Sequence, residues 1–353
     1  MTKAKRGLEG LDYMIYELKD TSKAEHLFDG IEDSLIRTCL QGMMDGKIYV
    51  ADREEPRAAL AYLAEFAVIA GEPDRELATY KPEGLVGLIP ADERWAALIE
   101  ECWPDVSPVT RYAIKKNTKF DRKKLEAIIA KLPKEYELKR INGELYDECL
   151  ENEQFEDNVG NFASKEEFLE LGRGFAILKD GEIVSVASSY TVYREGIEIE
   201  IDTEEVYRRK GLASVAGAAL ILSCLDDGLY PSWDAANPES VHLAEKLGYE
   251  FSHEYPTYWL GEVFDHLVSD PDKSEWDTFC GKYRHPDDAR RIYEIYRKNG
   301  ELYYHFVSPE TGKSFDLRMY PIGERSFGIN EDNFELVFSE ECLTFDDLVC
   351  KKM

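Results

Sequence analysis

Positive charge is scarce in this chain: 43 Lys and Arg stand against 71 Asp and Glu, a formal charge of −28. That argues against nucleic acid and against an anionic membrane surface as partners, since both select a basic stripe. It favours cationic small molecules such as amines, although acidity also serves solubility alone. Paired cysteines are missing too. The seven cysteines, Cys39, Cys102, Cys149, Cys224, Cys280, Cys342 and Cys350, are scattered and include no C-x-x-C. No disulfide framework and no metal site is expected, and a reducing cytoplasmic setting fits. No apolar run approaches the roughly 20 residues that span a bilayer, no signal-type stretch opens the sequence, and no Gly/Ser-rich linker or low-complexity tail interrupts it.

What is present is an α/β chain of 353 residues, too long for one ordinary core. Three regions emerge. In residues 1–132, strands at 47–52, 84–89 and 109–115 alternate with helices at 91–103 and 121–132, and the apolar run 58–71 reads equally as strand or helix. In residues 133–262 the order is strand 136–141, helix 144–152, helix 164–171 with Ser164 as its cap, a hairpin of 175–179 and 183–193 across Asp180-Gly181, strand 197–203, helix 211–225, strand 230–235, helix 238–247 and strand 249–260. Residues 263–353 carry short strands between turn signals such as Asn299-Gly300, and predict a small antiparallel barrel or sheet without a catalytic constellation.

The chemistry concentrates between Thr203 and Ser214. A strand ends, a loop carries Arg208, Arg209 and Lys210, and a helix opens directly at Gly211, Leu212 and Ala213. The first amides of a helix have no internal partners and carry partial positive charge. Gly211 and Ala213 add no bulk, so an anion reaches the main chain. Three successive cations in so acidic a chain specify a dianion, most simply a pyrophosphate. Taken alone, the same residues also describe a solvated basic loop ahead of an ordinary helix.

The surrounding pattern resembles the GNAT N-acetyltransferase superfamily. Arg208, Gly211 and Ala213 match its (Gln/Arg)-x-x-Gly-x-(Gly/Ala) motif. Asn237, Ser240, Leu243, Lys246, Leu247, Gly248 and Tyr249 match its later N-x-x-S-x-x-L-x-x-K-L-G-(Phe/Tyr) element. More narrowly, the stretch from Tyr230 to Tyr249 resembles the zwittermicin-resistance-type branch, in which a degenerate GNAT-like half precedes the competent one; the likeness covers about residues 27–260. The resemblance implies tandem mixed sheets flanked by helices, with a degenerate N-terminal unit at 1–132, an acyl-CoA-binding unit at 133–262 and an accessory β domain at 263–353. It implies acetyl-CoA (coenzyme A) as the acyl donor, held by the main chain near Thr203 and by Arg208, Arg209, Lys210, Gly211, Leu212, Ala213 and Ser214, with Asn237 beside it or serving only as a helix cap.

Acyl transfer to an amine needs a base, and the strand at 197–203 offers one. Glu198, Glu200 and Asp202 alternate with Ile197, Ile199 and Ile201, so the carboxylates share one face. A row of acids inside a sheet is costly unless it faces a wet cleft, and neighbouring carboxylates raise one another's pKa toward neutrality. Glu198 and Glu200 are expected to bind and deprotonate a small-molecule amine; a solvent-facing edge strand is the competing reading. Asp202, Trp233 and Asp234 are expected to shape the acceptor pocket, with burial under the next helix as the alternative for Trp233. Ala244 stands where many GNAT enzymes have Tyr, which leaves Ser240, Tyr249 or water as the acid and keeps open a non-catalytic acyl-CoA sensor. His242 reads as a surface or packed residue rather than a base, and Cys224 as core rather than a nucleophile. The stretch from Trp276 faintly resembles the small β domain of β-lactamase-like serine hydrolases, but no Ser-x-x-Lys occurs in the chain. A homodimer through this tail is left open.

Overall fold

The computed structural model describes residues 14–309, 311–339, 341–345 and 348–353. The ambiguous run at 58–71 is a hairpin, Ala58–Leu63 and Phe66–Gly71, turning at Ala64 with φ 51°. Its continuous apolarity has a simple cause. Ala58, Leu60, Ala67 and Ile69 enter one core, while Ala59, Ala61, Leu63, Val68 and Ala70 enter another on the opposite face. With both faces covered, a strand loses the alternation that marks a half-buried one.

This hairpin belongs to an eight-stranded sheet, in the order Tyr16–Glu17, Lys47–Val50, Ala58–Leu63, Phe66–Gly71, Val86–Pro90, Phe251–Leu260, Pro108–Ile114 and Asp234–Ala235. A five-stranded sheet follows the order Tyr230–Ser232, Gly196–Thr203, Glu182–Tyr193, Gly174–Lys179 and Tyr136–Arg140. The strand expected at 230–235 is therefore two strands in different sheets, separated at Trp233. The last strand of the middle region lies in the first region's sheet, between Val86–Pro90 and Pro108–Ile114.

The helix Leu212–Asp226 is buried along most of its length and packs against the five-stranded sheet. Gly217 allows this approach, because a Cβ there would lie 2.8 Å from Ile201 Cδ1. The hairpin turn Asp180-Gly181 has φ 53° and 96°, as its sequence demands. At the C-terminal end, eight antiparallel strands from Gly281–Arg284 to Leu348–Lys352 close a barrel around Trp276, Tyr283, Leu302, Met319 and Phe327. The barrel is pinned to the first sheet by Asn330, whose Oδ1 accepts from the Gly261 amide (2.8 Å) and whose Nδ2 donates to Trp259 O (3.0 Å). Among the described residues no helix is long and apolar enough to cross a membrane.

Candidate active site

Strands Gly196–Thr203 and Tyr230–Ser232 run parallel and pair only from Gly196 to Glu198. Any side chain at Gly196 would collide with Tyr230 O, so glycine is required for that pairing. Past Ser232 the chain crosses at Trp233 to the other sheet, where Asp234 pairs with Ala113. The edge of Ile199 to Thr203 is thereby left open on this side. A cavity of about 1000 Å³ occupies the opening, lined by both sheets and by the starts of the helices Leu212–Asp226 and Pro238–Leu247.

One wall is the expected cradle. Arg209 and Gly211 have φ 61° and 85°, and positive φ values in such a turn direct successive amides to one side. No side chain caps the helix that Gly211 opens, so the first-turn amides await an outside acceptor. Around Gly211 a Cβ would meet nothing within 4 Å, and Arg208 and Arg209 are exposed. Arg208 Nε donates to Thr203 O (3.2 Å), tying the loop to the strand end, and Lys210 Nζ lies 4.6 Å from the Tyr207 ring centroid. Thr203 Oγ1 is 2.7 Å from Ser185 Oγ, and Ser214 Oγ accepts from Lys246 Nζ at 2.7 Å. Free amides, two positive-φ residues and nearby guanidiniums fit a diphosphate such as that of coenzyme A.

The carboxylate row forms another wall. Ile197 and Ile199 are buried on the core side with Ile201 against them, while Glu198 and Glu200 face residues of the N-terminal half and Asp202 faces Asn158 and Asp157. Glu198, 9% exposed, accepts from Ser34 Oγ on Oε2, and Lys116 Nζ lies 3.6 Å from the same oxygen. Its Oε1 is buried without a partner. Glu200 Oε2 is likewise buried and partnerless. Burial, then the charges of Asp202, Asp157 and Glu65, push the Glu200 pKa up to about 8 against the pull of Arg111. Asp202 is also raised by burial, against a hydrogen bond from Asn158 Nδ2 (3.3 Å). A bulge opposite Glu198 and Ile199 leaves Tyr190 unpaired in the ladder, and its side chain lines the cavity.

Sequence reasoning missed the contributions of the first half. Asp33 caps the helix Ser34–Gln41, and burial raises its pKa to about 6. Lys116 donates to Trp233 O (2.9 Å). Burial opposes its charge, but Glu198, Asp234 and Asp33 outweigh that and raise its pKa. Arg111 pairs with Asp234 at 2.8 Å and lies 4.7 Å from the Phe66 ring centroid. Asp33, Arg111 and Lys116, the last two on and just after the strand Pro108–Ile114, are far in sequence from the carboxylates they face, so no local motif joins them to that row.

The remaining expected residues divide. Asn237 is the cap, its Oδ1 accepting from Ser240 N at 2.9 Å, while it also borders the cavity. Trp233 is 3% exposed beneath the helix, its Nε1 donating to Ser240 Oγ (3.2 Å), and it too contributes to the lining. His242, with Nδ1 2.8 Å from Pro238 O, reaches the cavity from an exposed position. Tyr249 does not: its hydroxyl donates to Pro231 O (2.7 Å) in the buried core, so it is no candidate acid. Ala244 and Cys224 are fully buried in that core.

Comparison with known proteins agrees with this geometry. Over 182 residues the chain is 31% identical to YdfB of Bacillus subtilis, an uncharacterized N-acetyltransferase; the match takes in 49% of this chain and 66% of that relative, just under two thirds of its length. A crystal structure of a GCN5-related N-acetyltransferase-like protein from Streptococcus suis is 45% identical with a TM-score of 0.64, covering 68% of this chain and 98% of that one. The sequence model of GNAT acetyltransferases matches residues 25–258, stopping short of the barrel. That span takes in the cradle, the carboxylate row and the Asn237 helix, and the chain belongs to the GNAT family of N-acetyltransferases.

Proposed function

We propose that this protein transfers an acetyl group from acetyl-CoA to the amine of a small cationic molecule, both substrates being held together in the cavity. The observation that carries the reading is that an uncapped helix N-terminus and a row of buried and half-buried carboxylates open onto one cavity. Arg208, Arg209, Lys210 and the amides from Gly211 to Ser214 would hold the pyrophosphate, with Thr203 and Asn237 alongside. When bound, acetyl-CoA supplies a thioester-activated acetyl group.

The chain's own groups then have a proton to manage. An ammonium must lose one before its nitrogen is a nucleophile. We read Glu198 and Glu200 as the residues that receive the ammonium and accept that proton. Their partnerless oxygens, and a Glu200 pKa of about 8, support the role. Asp202, Trp233 and Asp234 border the acceptor end. The Ser240 hydroxyl, which also borders the cavity, is the proton donor we favour for the departing thiolate. Holding both reactants in one site supplies much of the rate without a covalent intermediate.

Calorimetric titration with acetyl-CoA, followed by thiol release in the presence of alkylamines, tests the reading. Micromolar binding with amine-dependent release is expected. Binding with no release for any amine would favour the sensor instead, a reading to which the small Ala244 lends weight; absence of binding overturns both.

A further inference from the structure

Charge separates five of the carboxylates that line the cavity into two groups. Asp234 is paired with Arg111 at 2.8 Å, and Glu198 lies 3.6 Å from Lys116. Glu65, Glu200 and Asp202, which line the adjoining stretch of wall, form no ion pair among the described residues. Arg111 is the cation within electrostatic reach of Glu65 and Glu200, and it is committed to Asp234 and the Phe66 ring. Arg208 reaches Asp202 only from the exposed loop, where its Nε is bonded to Thr203 O. Asp157 adds its negative charge to the surroundings of all three.

Half-buried acids without counter-charges are costly, and such groups persist where a ligand completes them. The buried, partnerless Oε2 of Glu200 points to what is missing. Among the described residues no set of donors is spaced to hold a metal ion. The wall beside the acids is aromatic instead: Phe66 makes edge contacts with Tyr190 (6.1 Å) and Trp259 (5.1 Å), and all three line the cavity. Acids beside aromatic rings suit an organic ammonium on an aliphatic stem.

We infer that the acceptor carries a second ammonium group, seated among Glu65, Glu200 and Asp202, while the reacting amine lies toward Glu198; with such an acceptor Glu198 takes the proton and Glu200 holds the second charge. This specifies the acceptor class and rests on the transferase reading. Positions two apart on a strand are about 6.5–7 Å apart, which a chain of about four methylenes spans. A diamine of that length satisfies both groups of acids at once. A monoamine leaves one group uncompensated.

The probes are 1,4-diaminobutane and butylamine, titrated into the full chain by calorimetry at pH 7, with and without saturating coenzyme A. The diamine is expected to bind at least about tenfold more tightly, the scale of one charge-assisted hydrogen bond. It should also release protons, read from titrations in buffers of different ionisation enthalpy, because a neighbouring cation drives protonated Glu200 to ionise. Glu65→Gln should bring the diamine down toward butylamine, with the thermal melting curve checking that the variant is folded. A diamine that binds no more tightly than butylamine overturns the inference, and leaves the transferase reading to the acetyl-CoA experiment. A diamine preference without acetyl-CoA binding supports the second seat and overturns the transferase.

Discussion

Ser34 and Glu198 are 164 positions apart in sequence, yet the Ser34 hydroxyl donates to Glu198 Oε2 inside the cavity. With Lys116 at 3.6 Å from the same oxygen, Oε2 is committed and Oε1 is the oxygen left over. The N-terminal half thus fixes which atom of the expected base is available.

Ser34→Ala frees the Glu198 carboxylate to turn. Turnover should fall about tenfold, the worth of one hydrogen bond to a charged group, with the KM for acetyl-CoA unchanged. Ser34→Thr should restore most of it. Steady-state kinetics with an alkylamine acceptor check this, and a purely structural role for Ser34 would lower melting temperature in both variants without that split.

Glu200 gives a pH dependence of definite sign. Its folded pKa of about 8 exceeds the unfolded value of about 4.3, so the folded state holds the extra proton between them. Its contribution to stability is undiminished below about pH 4 and declines as pH rises toward 8. Glu200→Gln should flatten the fall in melting temperature between about pH 5 and 8 and be the more stable protein at pH 8. The same variant should lose amine-dependent thiol release while retaining acetyl-CoA affinity.

Ala213 tests the cradle through opposite effects. A carboxylate in the first turn of a helix is stabilising by about 0.3–1 kcal/mol, but here it would occupy the anion's place. Ala213→Glu should leave the melting temperature unchanged or raised and weaken acetyl-CoA binding by at least about tenfold, measured by calorimetry. Equal affinity in the two proteins would remove the helix start from the binding site.

Lys116→Met removes the cation shared by Glu198, Asp234 and Asp33. Breaking a buried pair in this way costs about 3–5 kcal/mol. The loss should be greatest at pH 7 and smaller at pH 5, where Asp33, raised to about 6, is protonated. Urea denaturation at the two pH values checks it.

The parts of this protein that were legible in its sequence are those governed by near neighbours. Asp180-Gly181 announces its hairpin, Ser164 and Asn237 announce their caps, and Gly211 announces the start of a helix, because each is a matter of local backbone and spacing. The run at 58–71 hid its hairpin because cores lie on both of its faces. The strand at 230–235 hid its break because nothing about Trp233 marks a change of sheet. Arg111, Lys116 and Ser34 were invisible as site residues for a related reason: their partners Asp234, Trp233 and Glu198 are brought to them only by the tertiary fold.

The crossing at Trp233 also bears on how this protein can be cut. A fragment beginning near residue 133 would carry off Asp234–Ala235 and Phe251–Leu260 and leave Val86–Pro90 and Pro108–Ile114 facing a vacancy between them. It would also forfeit Ser34, Arg111 and Lys116. The two halves share a seam, and a cut between them exposes strand edges on both. Shuffling, fusion or split-reporter designs that divide the chain ahead of Leu260 have that seam to reckon with.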